Sequence, residues 1–184
     1  MQTNKISVVI QYYGNPVILR TIEHLDNMKY VDQFIFVSDK ETIDTNTEHL
    51  IVKSSYPFGG KVIKFICEKV KGDYILFITE QSLLEINNTT IEQFLNKAAN
   101  SSAGLFYSDY SVRNNNELSK HPLIDYQSGS IRDDFDFGPL LFLKKSALES
   151  ACEDLQIEQN HSLFSGLYQL RLAVSRKFSI EKIS

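Results

Sequence analysis

Short apolar, largely β-branched runs recur along this chain, each followed by a segment with helical apolar spacing. That alternation limits the possible folds more than any other feature. Ile6–Ile10 is such a run, as expected of a parallel strand covered on both faces. Asn15 before Pro16 predicts a helix start, a capping side chain ahead of a ring preset for the first turn. This helix should reach about Asn27, with Val17, Ile18, Thr21, Ile22 and Leu25 on one face. Phe34–Val37 predicts a second buried strand that stops at the turn-forming Ser38-Asp39. Leu50–Val52 predicts a third, minor one.

Gly59-Gly60 opens a predicted helix over Lys61–Val70, where Val62, Ile63, Ile66, Cys67 and Val70 repeat at helical spacing. Gly72 ends it, and Tyr74–Ile78 reads as another buried strand. Thr89–Asn100 is expected to be helical, Gly104–Tyr107 and Leu140–Leu143 extended, and Ser146–Leu155 helical. Ser162–Arg176 closes with an amphipathic helix carrying Leu163, Leu167, Leu170 and Val174. The polar stretch Arg113–Lys120, with three consecutive Asn, reads as an exposed loop.

Strands and helices alternating in this way indicate an α/β class with a mostly parallel central sheet flanked by helices. No repeat or linker divides residues 1–184, so one domain is expected. Sheets of this kind bind ligands beyond the carboxyl ends of their strands. The positions to watch are Gln11–Gly14, Ser38–Lys40, Thr79–Ser82 and Ser108–Tyr110.

Composition removes several functional classes. With 42% hydrophobic and 23% charged residues the chain is neither collagen-like nor low-complexity. A net charge of −4 exerts no general pull on nucleic acid or anionic membrane. Its apolar runs fall far short of the ~20 residues of a membrane span. Cys67 and Cys152 lie far apart with no CxxC, so neither a zinc knuckle nor a disulfide scaffold is expected. A reducing, cytoplasmic setting fits that cysteine usage. There is no GxGxxG, no GxxxxGK[ST], no HExxH and no GxSxG. His24, His49, His121 and His161 have no ligand spacing and read as surface or packing residues.

Several segments, taken in order, resemble one family. Ile6-Ser-Val-Val-Ile-Gln-Tyr-Tyr-Gly14 with Leu19-Arg-Thr-Ile-Glu-His-Leu25 is similar to the opening of family 2 glycosyltransferases of the GT-A type. Phe34-Ile-Phe-Val-Ser-Asp-Lys40 resembles their second strand, ending in an acid at Asp39. Lys61 falls where they carry a "GK" or "GxxxAxN" helix. Lys71-Gly-Asp-Tyr-Ile-Leu-Phe-Ile78 looks like their "KGDYILFLD" strand, and Leu167–Arg171-Leu172 their closing "DLWLRL" helix. The resemblance spans roughly residues 5 to 177.

It implies a GT-A-like nucleotide-diphospho-sugar fold and a donor site built by Gln11, Tyr12, Tyr13, Asp39 and Lys61. Asp39 would bond the base or ribose, an aromatic of Gln11–Tyr13 would stack on the base, and Lys61 would lie by the nucleotide or its phosphates. The implied partners are a nucleotide-sugar donor, UDP at family level, and a glycan or lipid-linked acceptor.

Two departures bear on chemistry. The family places Asp-x-Asp after the "GDYILFL" strand, because Mg²⁺ or Mn²⁺ takes oxygen ligands and bridges the donor diphosphate. Here Thr79-Glu80-Gln81 stands there, a poor set for a hard cation, which leaves the metal open. These three residues, with Asp109 at the end of a later strand, complete the expected donor-side set. The family's catalytic "ED" pair aligns near Phe164-Ser165, which has no acid. The acidic, aromatic segment Arg132-Asp-Asp-Phe-Asp-Phe-Gly138 lies nearby instead, and Asp133, Asp134 or Asp136 could supply the base an inverting transfer needs. The competing reading of that segment is a capped surface turn.

Three functions follow from these readings: glycosyl transfer, a catalytically lapsed domain that binds a nucleotide, glycan or protein, and nucleotidyl transfer. The last expects a Gly-rich, basic first loop, which Gln11–Gly14 is not.

Overall fold

The computed structural model describes residues 4–56, 58–115, 117–129, 135–154 and 165–183. Asp133 and Asp134 lie outside these residues, as do Leu155 and the expected start of the last helix, Ser162–Phe164. The strands are β1 (Ile6–Gln11), β2 (Val31–Ser38), β3 (His49–Lys53), β4 (Tyr74–Ile78), β5 (Leu105–Ser108), β6 (Tyr110–Asn114), β7 (Glu117–His121), β8 (Leu140–Lys144) and β9 (Ile180–Ile183). The helices are α1 (Val17–Asp26), α2 (Gly60–Lys69), α3 (Asn88–Ala99), α4 (Lys145–Asp154) and α5 (Ser165–Lys177).

Seven strands form one sheet in the order β3-β2-β1-β4-β8-β5-β9. β8 is antiparallel to both neighbours, and the other pairs are parallel. All six residues of β1 are buried, as a central strand with helices on both faces requires. Its side chains alternate between two cores. Val8 and Ile10 join Ile22, Phe36, Leu76 and Phe94 beneath α1 and α3. Val9 joins Ile35, Ile66, Phe77 and Leu170 beneath α2, α4 and α5. Burying one such side chain contributes about 1.5–3 kcal/mol. Val17, expected on the buried face of α1, is 41% exposed at the first residue of that helix.

A hydrogen-bond network closes the amino ends of the central strands. The Ser7 hydroxyl donates to Gln33 Oε1 at 2.7 Å and accepts from the Gly72 N–H at 3.0 Å. Gln33 Nε2 donates to the Lys69 carbonyl at 2.9 Å. Ser7 and Gln33 are buried, so this edge is sealed. The opposite edge, beyond the carboxyl ends, carries the loops.

Two of these expectations need correction, and one strand is added. Arg113–Lys120 is not a loop but most of an antiparallel ribbon, β6–β7, with Val112 facing Ser119 and Arg113 facing Leu118. Both faces are largely in water, so no apolar alternation marked it, and Asn115 makes its turn at φ 55°. Cys67 and Cys152 form a disulfide between α2 and α4, with Cα atoms 6.9 Å apart. Their separation of 85 residues hid the pairing. A ninth strand, β9, also pairs with β5. Among the described residues no helix is long and apolar enough to cross a membrane.

Candidate functional site

The loops at the carboxyl edge fall into two groups. The first lies over β1, β2 and β3. Tyr12 is buried and continues the β1–β2 pairing by donating its N–H to the Val37 carbonyl at 2.9 Å. Gln11, also buried, forms the last rung of that ladder opposite Val37. Tyr13 reaches over β3, its hydroxyl donating to the Ser54 carbonyl at 3.3 Å. Burial and the nearby Asp39 charge hold the Tyr13 phenol above its ordinary pKa, so it stays a donor.

Gly14 shapes this corner. It has φ +96°, and a β-carbon there would come within 2.9 Å of Lys40 Nζ. The Lys40 ammonium also lies 5.6 Å from the Tyr12 ring centroid. Asp39 and Lys40 are exposed, and the Ser38 hydroxyl fixes their turn by accepting the Lys40 N–H at 3.2 Å. Lys61 is exposed in the first turn of α2, on the same edge. Its helix begins against α5, where Gly166 packs on Gly59-Gly60. Tyr56, 53% exposed, stands on the loop between β3 and α2. The Ser54 hydroxyl holds that loop, accepting the Tyr56 N–H and donating to the Tyr56 carbonyl at 2.8 Å.

The second group lies over β4, β8 and the ribbon. Thr79 donates its N–H to the Pro139 carbonyl at 3.0 Å and its hydroxyl to the Gly138 carbonyl at 3.3 Å. The Gly138 N–H donates in turn to Asp136 Oδ1 at 2.7 Å. The other Asp136 oxygen is 3.3 Å from His121 Nε2, and the His121 ring stacks on Tyr110 with centroids 4.5 Å apart. Burial, Asp136 and Glu80, in that order, raise the Tyr110 pKa, which places Glu80 in the same field. Asn15 joins the two groups, its Nδ2 donating to the Gln81 carbonyl at 2.7 Å while its Oδ1 accepts the Val17 N–H.

Asp109 is engaged elsewhere. Its Oδ1 accepts the Leu123 N–H at 2.7 Å and lies 3.4 Å from Lys182 Nζ. These two contacts hold its carboxyl below the ordinary aspartate value. A cavity of about 120 Å³ beside it, lined by Thr90, Gln93, Phe94, Ser108, Asp109 and Ile183, is too small for a nucleotide.

The family resemblance implies a divalent cation at Thr79-Glu80-Gln81, for which the residues present are a poor set. Glu80 is the one carboxylate of the three, the Thr79 hydroxyl is turned to the Gly138 carbonyl, and the Gln81 backbone carbonyl accepts from Asn15 Nδ2, so the triplet lacks the paired carboxylates that a hard cation takes. Among the described residues no three His, Cys, Asp or Glu side chains group as metal ligands.

Sequence reading placed Lys40 among the positions to watch without giving it a role, and it missed Tyr56 and His121. Lys40 directly follows a residue it singled out, and Tyr56 is an aromatic beside Gly59-Gly60. His121 had no signal, since its partner Asp136 comes 15 residues later in the chain.

No protein-family model matches the chain, and no curated protein sequence matches it either. Solved structures do. TarS from S. aureus matches with a TM-score of 0.66 and 15% identity, over 98% of this chain and 58% of that one. CMP:2-keto-3-deoxy-manno-octonic acid synthetase complexed with CTP matches with a TM-score of 0.60 and 12% identity, over 97% and 89%. 4-Diphosphocytidyl-2C-methyl-D-erythritol synthase from Anaerococcus prevotii matches with a TM-score of 0.54 and 12% identity, over 99% and 89%. At these identities the likeness establishes the fold: one α/β domain of the GT-A-like, nucleotidyltransferase-like architecture.

Proposed function

We propose that this chain moves a sugar from a nucleotide-sugar donor to an acceptor hydroxyl, the donor seated over β1–β3 and the transfer carried out over β4 and β8. The reading is carried by Tyr13, Asp39 and Lys40 converging around Gly14 at the carboxyl edge. A carboxylate suits ribose or base donors, an ammonium suits a diphosphate, and ring faces suit a base. Lys61 and Tyr56 extend that surface along the same edge. A glycan or lipid-linked hydroxyl is the acceptor and UDP the first nucleotide to try; the cytoplasm stays the proposed setting, although the Cys67–Cys152 disulfide removes the cysteine argument for it. Thr79, Glu80 and Gln81 follow β4 on the same edge, Gln11 and Tyr12 lie buried beneath the donor surface and support it, and Asp133 and Asp134 stay candidates for the acceptor side.

Nucleotidyl transfer is the second reading, favoured by the names of two similar structures, which carry CMP or diphosphocytidyl. The loop Gln11–Gly14 weighs against it, having neither a basic residue nor the glycines that would let a backbone wrap a triphosphate.

A thermal-shift titration with UDP, GDP, CDP and TDP, each with Mn²⁺, Mg²⁺ or EDTA, tests the donor site. A hundredfold excess over Kd should stabilise the protein by about 2.7 kcal/mol. Turnover then separates the two readings. Glycosyl transfer releases a nucleoside diphosphate, and nucleotidyl transfer releases pyrophosphate from a triphosphate. No shift with any nucleotide overturns the donor site. A shift without turnover leaves a lapsed binding domain.

A further inference from the structure

We infer that His121 is the proton acceptor of this site and that Asp136 positions it, an assignment that rests on the glycosyl-transfer reading above. The pair stands where the chemistry would occur. Asp136 is bonded through Gly138 to Thr79, the residue that ends β4. β6 leaves the sheet at the same edge, and Tyr110 and His121 face each other at the base of its ribbon. Glu80 lies close enough to raise the Tyr110 pKa.

The geometry divides the roles. Asp136 Oδ1 is occupied by the Gly138 N–H, which fixes the carboxylate, and Oδ2 faces His121 Nε2 at 3.3 Å. A hydrogen bond there puts the imidazole proton on Nε2 and leaves the Nδ1 lone pair as the base. No described residue bonds Nδ1. Tyr110 covers one face of the ring and so limits its rotation. His121 and Asp136 keep about half of their side-chain surface in solvent (49% and 51%), so an acceptor can reach the pair.

In the step this supports, Nδ1 takes the proton of the acceptor hydroxyl as its oxygen bonds the anomeric carbon. The bond from that carbon to the diphosphate oxygen breaks, and its electron pair leaves with the nucleoside diphosphate. Asp136 stabilises the imidazolium, which later returns its proton to solvent. No cation enters the step, in keeping with the donor set at Thr79-Glu80-Gln81. The base thus differs in kind from the carboxylate that the family resemblance implies.

The test compares wild type, His121→Ala, Asp136→Asn and the double variant, using the nucleotide sugar that stabilises the wild type most. Binding is read by thermal shift and transfer by released nucleoside diphosphate. His121→Ala should bind the donor as wild type does yet transfer about 10²–10⁴-fold more slowly. Added imidazole should restore part of that loss. Asp136→Asn should lose less, and the double variant should be no slower than His121→Ala, since Asp136 acts only through His121. Unchanged transfer by His121→Ala, or a loss that imidazole leaves untouched, overturns the assignment while the wild type's binding and turnover keep the wider reading standing. A wild type that neither binds nor transfers overturns both.

Discussion

The Tyr107 hydroxyl accepts the Tyr126 N–H at 2.7 Å and donates to the Ile124 carbonyl at 2.6 Å. One buried phenol at the end of β5 therefore anchors Ile124 and Tyr126, in the segment that follows His121. Lys182 adds to the anchor by donating to the Leu123 carbonyl at 2.8 Å. Tyr107→Phe keeps the ring in its contacts with Phe135 and Phe137 but leaves two backbone groups without their partner. We expect a loss of about 1–3 kcal/mol, measured by chemical denaturation, and faster amide exchange at Tyr126. Unchanged exchange there would show that the segment is held by something else.

At the proposed donor corner, Lys40 is the cation that Gly14 leaves room for. Lys40→Ala should weaken nucleoside diphosphate binding by about 1.5–3 kcal/mol, the worth of a charge-assisted contact, and should scarcely affect binding of the nucleoside alone. Asp39→Ala should weaken both. Isothermal titration with the diphosphate and the nucleoside separates the roles. Equal losses for both ligands in Lys40→Ala would remove the phosphate assignment.

The sequence disclosed the sheet's buried strands because β1 and β4 are central, and centrality forces near-continuous apolar runs such as Ile6–Ile10 and Tyr74–Ile78. It hid β6–β7 because a ribbon exposed on both faces has no reason to alternate, as Arg113 opposite Leu118 shows. The donor corner was half legible. Asp39 follows a clear strand, whereas Lys40 gains its meaning only from lying against Gly14 and Tyr12. His121 was illegible, because its proposed role depends on Tyr110, opposite it across the ribbon, and on Asp136, 15 residues further on, which share no motif with it. Cys67 and Cys152 were misjudged for the same reason, since a bond between two helices leaves no spacing signature.

That disulfide gives a third expectation. It ties α2, which opens beside the donor corner, to α4 on the same face. Closing a loop of 85 residues restricts the unfolded chain, and bridges of this kind contribute about 2–4 kcal/mol. Reduction should lower the melting temperature by roughly 2–4 °C per kcal/mol for a chain of this size. Cys152→Ser should melt at the reduced temperature with or without reductant. Identical melting of oxidised and reduced wild type would show that the bridge adds no stability.

Two carboxylates should set the acid limb of stability. The Leu123 N–H and Lys182 hold Asp109 below its ordinary pKa. Ser101 and Lys97 do the same for Glu181, the Lys97 ammonium lying 2.9 Å away. A depressed folded-state pKa means that the stabilisation is present above the unfolded values, 3.8 and 4.5, and is lost as pH falls through the lower folded ones. Wild type should therefore melt above Asp109→Asn and Glu181→Gln at neutral pH. The gap should close as the buffer is brought below pH about 4. A gap that persists in acid would mean that the loss comes from packing and not from charge.

Gly166 makes the sharpest test of how the donor loop is supported. A β-carbon there would overlap the Phe58 carbonyl oxygen and come within 2.8 Å of the Gly60 nitrogen. Both are backbone atoms at the start of α2, so no side chain can swing away to relieve the clash. Phe58 itself is buried against Phe77 of β4, with ring centroids 5.9 Å apart, which prevents the loop from retreating into the core. Gly166→Ala must push α5 away from α2 or lift the Phe58–Gly60 loop, and overpacking of this kind destabilises by about 1–3 kcal/mol. Either movement shifts Lys61 and the loop that carries Tyr56, so nucleotide affinity should fall together with stability. A variant that melts lower yet binds nucleotide as wild type does would show that α5 supports the fold without setting the donor loop.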